Sequence, residues 1–329
     1  MKVLVVCTKH KDAENTGFVA PFVWEQTRAL QQKGCTIDFF LIEKSGMKGY
    51  LRAWSPLRKK IKAFRPDVIH AHYGLSCLLA NLASRKVPVV STYHGSDLNN
   101  RSVRPLSRLA MLLSKHNVFV SQKQCALGIG RQSKRSVIPC GIDLSDSQLT
   151  PKAEARQTMQ LDAETKYVLF AGAFANAVKG PELAKAAVEV LNRKCRQDED
   201  VVLLELRGYS REQVNLLMCA TDCLLMTSRT EGSPQVIKEA MACGCPIVSV
   251  DVGDVAERIS GLTGCCVVSS REPIDIAEAL HEVMALNART EGRKRILEMG
   301  LTNEGVAERI LGVYHACVLS SLLPQGNDE

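Results

Sequence analysis

Short apolar runs rich in valine and isoleucine alternate with helical-period segments along the whole chain, and this alternation most limits the possible folds. A strand of a parallel sheet that is covered by helices on both faces is buried on both sides, so its sequence is nearly continuously apolar. The pattern therefore predicts an α/β fold of the doubly wound type. The predicted strands are 3–7, 36–42, 68–71, 87–92, 118–120, 137–138, 167–171, 201–206, 223–227 and 247–250.

The alternation is interrupted once, by the polar stretch 143–166, which has no clear apolar period. A chain of 329 residues is too long for one compact core, so this stretch is a natural linker. We expect two Rossmann-like domains facing a cleft, 1–150 and 151–305, with ligands bound beyond the carboxyl ends of the strands. A last segment, 306–329, is expected to form a helix that packs back on the first domain and ends in a frayed tail.

Charge is distributed very unevenly between the two halves. Residues 1–143 hold 23 Lys and Arg against 8 Asp and Glu, a net charge of +15, whereas the remainder holds 19 against 27, a net charge of −8. A solvated basic face explains part of this excess. The size of the excess also indicates an anionic partner of the first domain, either a membrane surface or a phosphorylated acceptor. No recognisable nucleic-acid module accompanies the charge, so nucleic acid is not expected as a partner.

The 13 scattered cysteines indicate free thiols in a reducing cytosol rather than disulfides. The apolar start 1–7 is too short for a signal peptide, and no apolar run reaches the roughly 18 residues that a membrane span needs. We expect a cytoplasmic protein, peripheral at the inner membrane face. The pairs Cys219/Cys223 and Cys243/Cys245 could be read as metal ligands, but buried small side chains explain them better, and no metal site is expected.

The most informative motif follows the predicted strand 223–227. A short loop there carries Glu231 and Gly232, and Ser233 is predicted to cap a helix whose first residue is Pro234. The unpaired N–H groups and positive dipole of a helix start suit a phosphate group. Glu239 follows Glu231 by eight residues, so the two carboxylates could hold hydroxyl groups at opposite ends of one elongated ligand. Both could equally be solvated glutamates, and spacing alone leaves the two interpretations open.

Residues 231–248 read E-G-S-P-Q-V-I-K-E-A-M-A-C-G-C-P-I-V. This stretch resembles the signature of the retaining glycosyltransferases of family 4, which have the GT-B fold and whose usual form is E-G-x-P-x-x-x-x-E-A-M-A-x-G-x-P-V-V. The resemblance implies that Glu231 contacts hydroxyl groups of the donor sugar and that Glu239 holds the ribose of the nucleotide. It also implies that the diphosphate is bound by the loop residues Gly232, Ser233, Pro234 and Gln235.

Three further motifs occur in the order that this family has. Residues 94–97 read H-G-S-D, residues 138–143 read I-P-C-G-I-D with Cys140 in place of the usual asparagine, and residues 68–72 read V-I-H-A-H. The resemblance implies that His94 lies close to the transferred sugar, which makes His94, Asp97 and Glu231 the candidate catalytic residues. Gly17 resembles the glycine loop after the first strand, although the usual pair of glycines is reduced to one.

The second half departs from the family in two places. The family has an arginine where this chain has Ala173, and a lysine and glycine that match Lys179 and Gly180 with one extra residue in the spacing. A positioned cation stabilises the charge that develops on a diphosphate leaving group, so Lys179 is expected to carry most of that role. A helix and a strand usual in the family are also missing after residue 206, which leaves Gly208 and Tyr209 to meet the nucleotide base.

The resemblance thus predicts transfer of a hexose-type sugar from a nucleoside diphosphate, with retention of configuration and without a metal or cofactor. The second domain would bind the donor, and the basic first domain a glycan or polyprenyl-linked acceptor. Two other functions remain open at this point: a nucleotide-sugar epimerase on the same fold, and a non-catalytic protein that binds nucleotide sugars. A dinucleotide oxidoreductase is disfavoured because no G-x-G-x-x-G motif follows a strand.

Overall fold

The computed structural model describes residues 1–10, 17–43, 46–145, 147–194 and 200–322. The chain divides into two compact units, the first formed by Met1–Gly141 with Asn303–Glu329 and the second by Ile142–Thr302. The boundary thus follows Gly141 rather than residue 150. The physical reason is that Ile142 is buried in the core of the second unit, where its N–H donates to the carbonyl oxygen of Leu301 at 3.0 Å.

The first unit is built on a six-stranded parallel sheet with the order β2-β1-β3-β4-β5-β6. Its strands are β1 Lys2–Thr8, β2 Thr36–Ile42, β3 Val68–His72, β4 Val89–Tyr93, β5 His116–Phe119 and β6 Arg135–Val137. The helices up to the end of this sheet are α1 Pro21–Gln32, α2 Met47–Phe64, α3 Gly74–Ala83, α4 Ser96–Asn99, α5 Arg104–Leu113 and α6 Gln122–Ala126.

Alternate residues of β1 pack into two separate cores, because successive side chains of a strand point to opposite faces of the sheet. Val3 and Val5 pack with residues of α1 on one face. Leu4 and Val6 pack on the other face, with residues of α2, α3 and α5. The sheet is therefore covered on both faces, which is why its central strands are almost continuously apolar.

The second unit has a five-stranded parallel sheet with the order β11-β10-β9-β7-β8 and one large core. Its strands are β7 Lys166–Phe170, β8 Val201–Glu205, β9 Cys223–Met226, β10 Ile247–Val250 and β11 Cys265–Val268. Its helices are α7 Lys152–Thr158, α8 Pro181–Lys194, α9 Arg211–Ala220, α10 Gln235–Ala242, α11 Val255–Ile259, α12 Pro273–Ala285 and α13 Gly292–Glu298.

The last helix, α14 Asn303–Leu322, belongs to the first unit. Val306, Ala307, Ile310 and Tyr314 are buried in the same core as α1 and the odd-numbered residues of β1. A helix at the end of the sequence thus completes the layer that α1 begins. It starts at Asn303, three residues before the predicted start.

The stretch predicted as a linker, 143–166, was assigned wrongly in part, because it contains helix α7. Arg156 of α7 is buried, and its guanidinium forms an ion pair with Asp222, which precedes β9, with an Nη2–Oδ2 distance of 2.9 Å. The backbone N–H of Tyr167 donates to the same carboxylate at 2.7 Å. Such a helix is too short to show a period in the sequence, and a partner distant in the sequence holds it.

Each sheet has the switch in strand order that doubly wound folds use for ligand binding. In the first unit β1 lies between β2 and β3, and in the second β7 lies between β9 and β8. Ligands bind such sheets beyond the carboxyl ends of the strands, next to this switch. No helix in the described parts of the chain combines the length and apolarity that crossing a bilayer requires.

Candidate active site

In the second unit, two candidate site residues form an ion pair at the carboxyl ends of neighbouring strands. Lys179 follows β7 and Glu231 follows β9, and Lys179 Nζ lies 2.7 Å from Glu231 Oε1. Their side chains are 27% and 15% exposed, so the pair is accessible yet largely shielded from water. The structure thus brings together a cation and a carboxylate that are 52 residues apart in the sequence.

The loop that carries Lys179 is fastened to the loop after β9. The hydroxyl of Thr227 donates to the carbonyl oxygens of Lys179 and Gly180, and Arg229 N–H donates to the carbonyl oxygen of Val178 at 2.8 Å. Gly180 has φ +71°, and a Cβ atom there would lie well inside van der Waals distance of the Thr227 carbonyl oxygen. Glycine is required here both for the left-handed backbone and for the close approach.

The helix after Glu231 begins one residue later than predicted, and its cap differs. α10 starts at Gln235, and Pro234 is its N-cap without a side-chain hydrogen bond. The predicted cap, Ser233, instead donates its hydroxyl to Asp254 Oδ2 at 2.8 Å, so the capping role was wrong. Glu239, half-buried, is the fifth residue of α10, one turn in from the helix start.

Buried residues behind the Glu231–Gly232 loop hold its backbone in place. Asp254 is 1% exposed and accepts from both Ser233 and Arg258, whose Nη2 lies 2.8 Å from Asp254 Oδ2. Gly253, at φ +58°, backs the loop so closely that a Cβ atom would lie 2.8 Å from the Gly232 carbonyl oxygen. Sequence reasoning missed this support; its one visible signal was Gly253 together with the two aspartates of the stretch 251–254.

Gly208 and Tyr209 lie after β8, whose carboxyl end is at the same edge of the sheet as those of β7 and β9. Gly208 has φ +78° with no atom within 4 Å of a hypothetical Cβ, and Tyr209 is 38% exposed. Ser210 then caps α9 through a capping box with Gln213. Both residues are therefore placed in open space beside the β7 loop.

Ala173 stands where the family has an arginine, and a hydrogen bond holds the backbone next to it. The N–H of Phe174, next to Ala173, donates to Glu205 Oε2 at 2.7 Å. Arg271, an exposed residue on this edge of the sheet, is engaged elsewhere, since its guanidinium donates to the carbonyl oxygens of Thr227 and Ser228. Among these residues Lys179 is the cation that faces Glu231 directly.

In the first unit, the turn after β4 is organised by Asp97. Asp97 Oδ1 accepts from the N–H of Gly95 at 2.9 Å and of His94 at 3.2 Å, and Oδ2 accepts from Gly74 N–H at 3.2 Å. Its side chain is 4% exposed, and burial raises its pKa to about 6, against the lowering effect of these N–H groups. The geometry favours a positioning role for Asp97 rather than direct contact with a substrate.

His94 is surrounded by rings. Its ring centroid lies 4.7 Å from that of Tyr73 and 4.8 Å from that of Phe22. His94 Nε2 lies 3.0 Å from His72 Nδ1, and its Nδ1 lies 3.8 Å from Cys140 Sγ. Tyr73 has φ +70°, a strained conformation at the turn into α3 that the sequence did not signal.

His70 and His72 are both fully buried on β3. His70 is held by Tyr314 of α14 at 2.6 Å and by Thr92 at 2.7 Å, and burial lowers its pKa to about 3. Burial, together with the neighbouring His70 and His94, lowers the pKa of His72 well below its usual value. Both rings are therefore neutral at physiological pH.

A pocket of about 310 Å³ opens beside this turn, at the carboxyl ends of β1, β3 and β4. It is lined by the ends of the strands and by the first residues of the helices that follow them. Asp97, Tyr73, Tyr50, Thr8 and Val103 are among the lining residues. Gly17, at φ +61°, lies in the turn before α1 and is not one of the lining residues.

Two family profiles match the chain in the order of the two units. One, described as Glycosyltransferase Family 4, matches residues 19–146, and the other, described as Glycosyl transferases group 1, matches residues 189–285. The chain belongs to glycosyltransferase family 4. This family 4 protein is therefore a glycosyltransferase that takes its sugar from a nucleotide sugar.

Curated relatives of this family 4 chain differ in the molecule that their names mention. A D-inositol 3-phosphate glycosyltransferase of Segniliparus rotundus is 26% identical over 311 aligned residues, which cover 80% of this chain and 69% of that protein. A putative teichuronic acid biosynthesis glycosyltransferase of Bacillus subtilis, TuaC, is 28% identical over 223 residues, which cover 58% of this chain and 54% of that protein.

Solved structures show the fold of this family 4 enzyme as GT-B. Sucrose-phosphate synthase from Thermosynechococcus elongatus matches with a TM-score of 0.79 and 18% identity, covering 97% of this chain and all of the other. The HepE protein of Anabaena, solved with UDP, matches with a TM-score of 0.74 and 18% identity, covering 96% of this chain and all of the other.

The described residues of this family 4 chain include no group of three or more His, Cys, Asp or Glu side chains arranged to hold a metal ion. The twelve cysteines that the structure describes, including both pairs considered as ligands, are free thiols. The one Asp-x-Asp triplet of the sequence is 198–200, and its first two residues lie outside the described residues. Its third residue, Asp200, directly precedes β8 at the amino end of that strand, the opposite edge of the sheet from Lys179 and Glu231.

Proposed function

We propose that this enzyme transfers a hexose-type sugar, with retention of configuration, from a nucleoside diphosphate to a glycan or polyprenyl-linked acceptor. The second unit binds the donor, and the first unit binds the acceptor. The Lys179–Glu231 ion pair carries this proposal, because it places a cation and a hydroxyl-binding carboxylate together at the switch point of the second sheet.

In the absence of donor, each member of the pair satisfies the other. When a nucleoside diphosphate sugar binds, the ammonium of Lys179 turns to the diphosphate, and Glu231 accepts hydrogen bonds from the sugar hydroxyls. The first N–H groups of α10, which starts at Gln235, add hydrogen bonds and the positive end of the helix dipole. The half-buried Glu239 is then in reach of the ribose.

These groups also supply what the leaving group needs without a metal ion. Negative charge develops on the diphosphate as the sugar bond breaks, and preorganised N–H groups and a cation stabilise it without reorganisation. Gly208 and Tyr209, at the end of β8, contact the base in this arrangement. In the first unit His94 is the proposed catalytic residue that contacts the sugar, and Asp97 is a positioning residue that acts through the backbone of His94.

The acceptor proposal is supported by charge and by relatives. Residues 44–142 contain 18 Lys and Arg and only two acidic residues, so the first unit suits a phosphate-bearing molecule. The name of one relative indicates a phosphorylated acceptor, and that of another indicates a part in teichuronic acid biosynthesis. The free thiols and the basic charge fit an enzyme that works at the cytoplasmic face of an anionic membrane.

The test is a panel of nucleoside diphosphate sugars scored by thermal shift, followed by nucleotide release with and without glycan or polyprenyl-phosphate acceptors. We expect one donor to raise the melting temperature and to release nucleotide only when acceptor is present. An epimerase would convert the donor sugar without acceptor, and a non-catalytic binder would show the thermal shift without release. Equal donor stabilisation of the wild type and Glu239→Ala would refute the ribose contact.

A further inference from the structure

Three helices of the first unit, α2, α3 and α5, form one layer on the same face of its sheet. Their inward residues, such as Leu57, Cys77 and Met111, share the core of that face. Their outward side carries large apolar side chains that are strongly exposed: Leu51 (70%), Trp54 (39%), Leu82 (56%), Leu109 (45%), Leu112 (58%) and Leu113 (48%). We call this outward side the α2–α3–α5 face.

The concentration of these side chains in one layer is unusual. Among the described residues of the first unit, every exposed large apolar side chain except Leu319 of α14 lies on the α2–α3–α5 face. Single exposed leucines are ordinary on a protein surface, but clusters of this kind mark interaction sites. The face is therefore a candidate for docking rather than a random sample of surface.

Spacing within the helices places these side chains side by side. Leu51 and Trp54 are three residues apart on α2, and Leu109, Leu112 and Leu113 follow the same rule on α5, so each set shares one helix face. Trp54 also joins two helices, since its indole N–H donates to the carbonyl oxygen of Leu82 on α3 at 3.2 Å. The apolar groups thus run across all three helices.

The charge around these groups is predominantly positive, although Lys60 of α2 pairs with Asp38 of β2 at 2.5 Å. Between residues 44 and 142 the only acidic residues are Asp67 and Asp97. Asp97 is buried in the turn after β4, and Asp67, just before β3, accepts from Lys2 N–H at 2.7 Å. Helix α2 contains six basic residues and no acidic one: Lys48, Arg52, Arg58, Lys59, Lys60 and Lys62.

Basic residues also line a pocket beside Trp54. This pocket, of about 490 Å³, lies between α2 and the end of α3. Its cationic lining residues are Arg58, Lys59, Lys62, Arg85 and Lys86. Five cations around one shallow pocket suit phosphate groups, and their apolar neighbour Trp54 suits the boundary between headgroups and acyl chains.

We propose that the α2–α3–α5 face docks on the surface of an anionic phospholipid bilayer. Leucine and tryptophan side chains enter the acyl boundary, while the lysines and arginines of α2 and of the pocket bind headgroup phosphates. Exposed Leu and Trp with Lys and Arg on one helical surface is the combination that interfacial helices use. The predominantly basic charge favours a bilayer over a protein partner, whose surface would also present cations of its own.

The pocket beside Asp97 is the one that we assign to the acceptor, and its position agrees with docking through this face. That pocket is lined by Tyr50 near the start of α2, by Gly74 and Leu75 at the start of α3, and by Val103 just before α5. The same three helices therefore begin at the pocket and present the apolar face. Docking would hold the pocket close to a lipid-linked acceptor, so the inference deepens the proposed function and rests on it for its purpose.

The two tryptophans of the chain allow a direct test. Trp24 is on α1, where its ring stacks on Phe39 with centroids 6.1 Å apart, so Trp24→Phe leaves Trp54 as the one fluorescent indole. With vesicles of phosphatidylglycerol and phosphatidylcholine we expect a blue shift of Trp54 emission and quenching by brominated acyl chains. Pure phosphatidylcholine vesicles should give neither.

Variants separate the two components of binding. Lys59→Glu with Lys62→Glu should weaken vesicle affinity at least about tenfold at low salt, and about 1 M NaCl, where the screening length is about 3 Å, should abolish the difference. Leu112→Ser with Leu113→Ser should lower affinity even at fixed charge. The matched controls are Leu319→Ser on α14, which is 62% exposed, and Lys294→Glu in the second unit, and neither should change binding.

Three results would overturn the proposal: no binding to anionic vesicles at low salt, an unshifted Trp54, or equal losses in the control variants. A mass that rises with protein concentration in the wild type and in Leu319→Ser, but not in variants of the face, would assign the face to contacts between copies instead. Failure here is distinguishable from failure of the proposed function. Sugar transfer to a water-soluble acceptor without vesicle binding refutes docking alone, whereas vesicle binding without transfer to any acceptor refutes the function alone.

Discussion

His72 Nδ1 and His94 Nε2 lie 3.0 Å apart, so one of the two nitrogens must carry the proton between them. His72 is fully buried, and within the described residues its Nε2 has no hydrogen-bond partner. A proton on that atom would leave a buried N–H donor unsatisfied, which proteins avoid. His72 therefore donates through Nδ1, and His94 accepts through Nε2 and carries its own proton on Nδ1.

This assignment makes His72 a positioning residue, and two replacements of different severity test it. The amide nitrogen of Asn lies where His Nδ1 lies, so His72→Asn should keep the donor, whereas His72→Leu should remove it. We expect kcat/KM to fall about fivefold more in His72→Leu than in His72→Asn, the value of one neutral hydrogen bond. Nitrogen NMR shifts of the His94 ring report the tautomer directly. A wild-type His94 protonated on Nε2 would contradict the assignment.

Substitutions of Lys179 and of Glu231 should affect nucleotide binding and sugar transfer differently. Lys179→Met removes the cation and should weaken binding of the nucleoside diphosphate, with a loss in kcat on the order of 10²-fold. Glu231→Gln leaves Lys179 without its carboxylate partner, so nucleoside diphosphate should bind at least as tightly while transfer is lost. Calorimetric titration and steady-state kinetics measure the two effects.

The control for that pair is Lys185→Met, which removes an exposed lysine paired with Glu182 on α8. It should leave both nucleotide binding and transfer unchanged, since exposed ion pairs contribute little. Equal losses of nucleotide affinity in Lys179→Met and Glu231→Gln would argue against the division of roles.

Protonation of Asp97 should lower the activity of the enzyme on the acid side of its pH profile. Burial raises the pKa of this carboxyl to about 6, so it takes up a proton as the pH falls through that value. A protonated carboxyl offers a donor to a turn that presents only N–H groups, and the backbone of His94 then loses its hydrogen bonds. We expect kcat/KM to fall about tenfold from its plateau by about pH 5. The Asp97→Asn variant should have a lower plateau of kcat/KM, and its kcat/KM should not show this fall at acid pH.

The same pKa predicts the sign of a stability change. The carboxyl binds its proton more tightly in the folded protein, at about 6, than at its ordinary value of 3.8. The folded state thus holds more protons between these values, so the contribution of Asp97 to the free energy of unfolding falls as the pH rises from 3.8 to about 6 and is constant above it. Urea unfolding of the wild type and of Asp97→Asn across this range measures the difference between their free energies of unfolding. That difference should become smaller as the pH rises.

Gly180→Ala and Gly208→Ala form a matched pair. Both glycines have positive φ, but a Cβ atom at Gly180 would collide with the Thr227 carbonyl oxygen, whereas at Gly208 it would meet nothing. We expect Gly208→Ala to lower the free energy of unfolding by about 1 kcal/mol and Gly180→Ala by about twice that or more, because the collision adds to the backbone cost. Urea denaturation compares them, and equal losses would show that the loops adjust freely.

Strands β1 to β10 could be predicted from sequence to within about three residues because buried parallel strands are nearly continuous apolar runs. Helix α9 and strand β10 have the predicted bounds, whereas β11, which reads Cys-Cys-Val-Val, was not assigned. Helix α7 was missed because its stability comes from the contact of Arg156 with Asp222, far along the chain.

The candidate site also has residues that the sequence predicts and contacts that only the folded chain determines. Glu231, Glu239 and Lys179 could be named from motif and chemistry, but whether Lys179 meets Glu231 depends on the order of β7 and β9 in the sheet. Ser233 looked like a helix cap because serine before proline usually is one. Its actual partner, Asp254, follows the next strand, and only the folded chain shows that the two meet.

The return of α14 to the first unit sets an order for how the protein matures on the ribosome. Residues 1–141 emerge first, yet the sheet face around Val3, Val5 and His70 is covered only in part, by α1, until Val306, Ile310 and Tyr314 are made. The second unit, encoded between them, is fully synthesised before its neighbour can close. A nascent chain halted before α14 would expose that apolar face and depend on chaperones, while its second unit would already be folded.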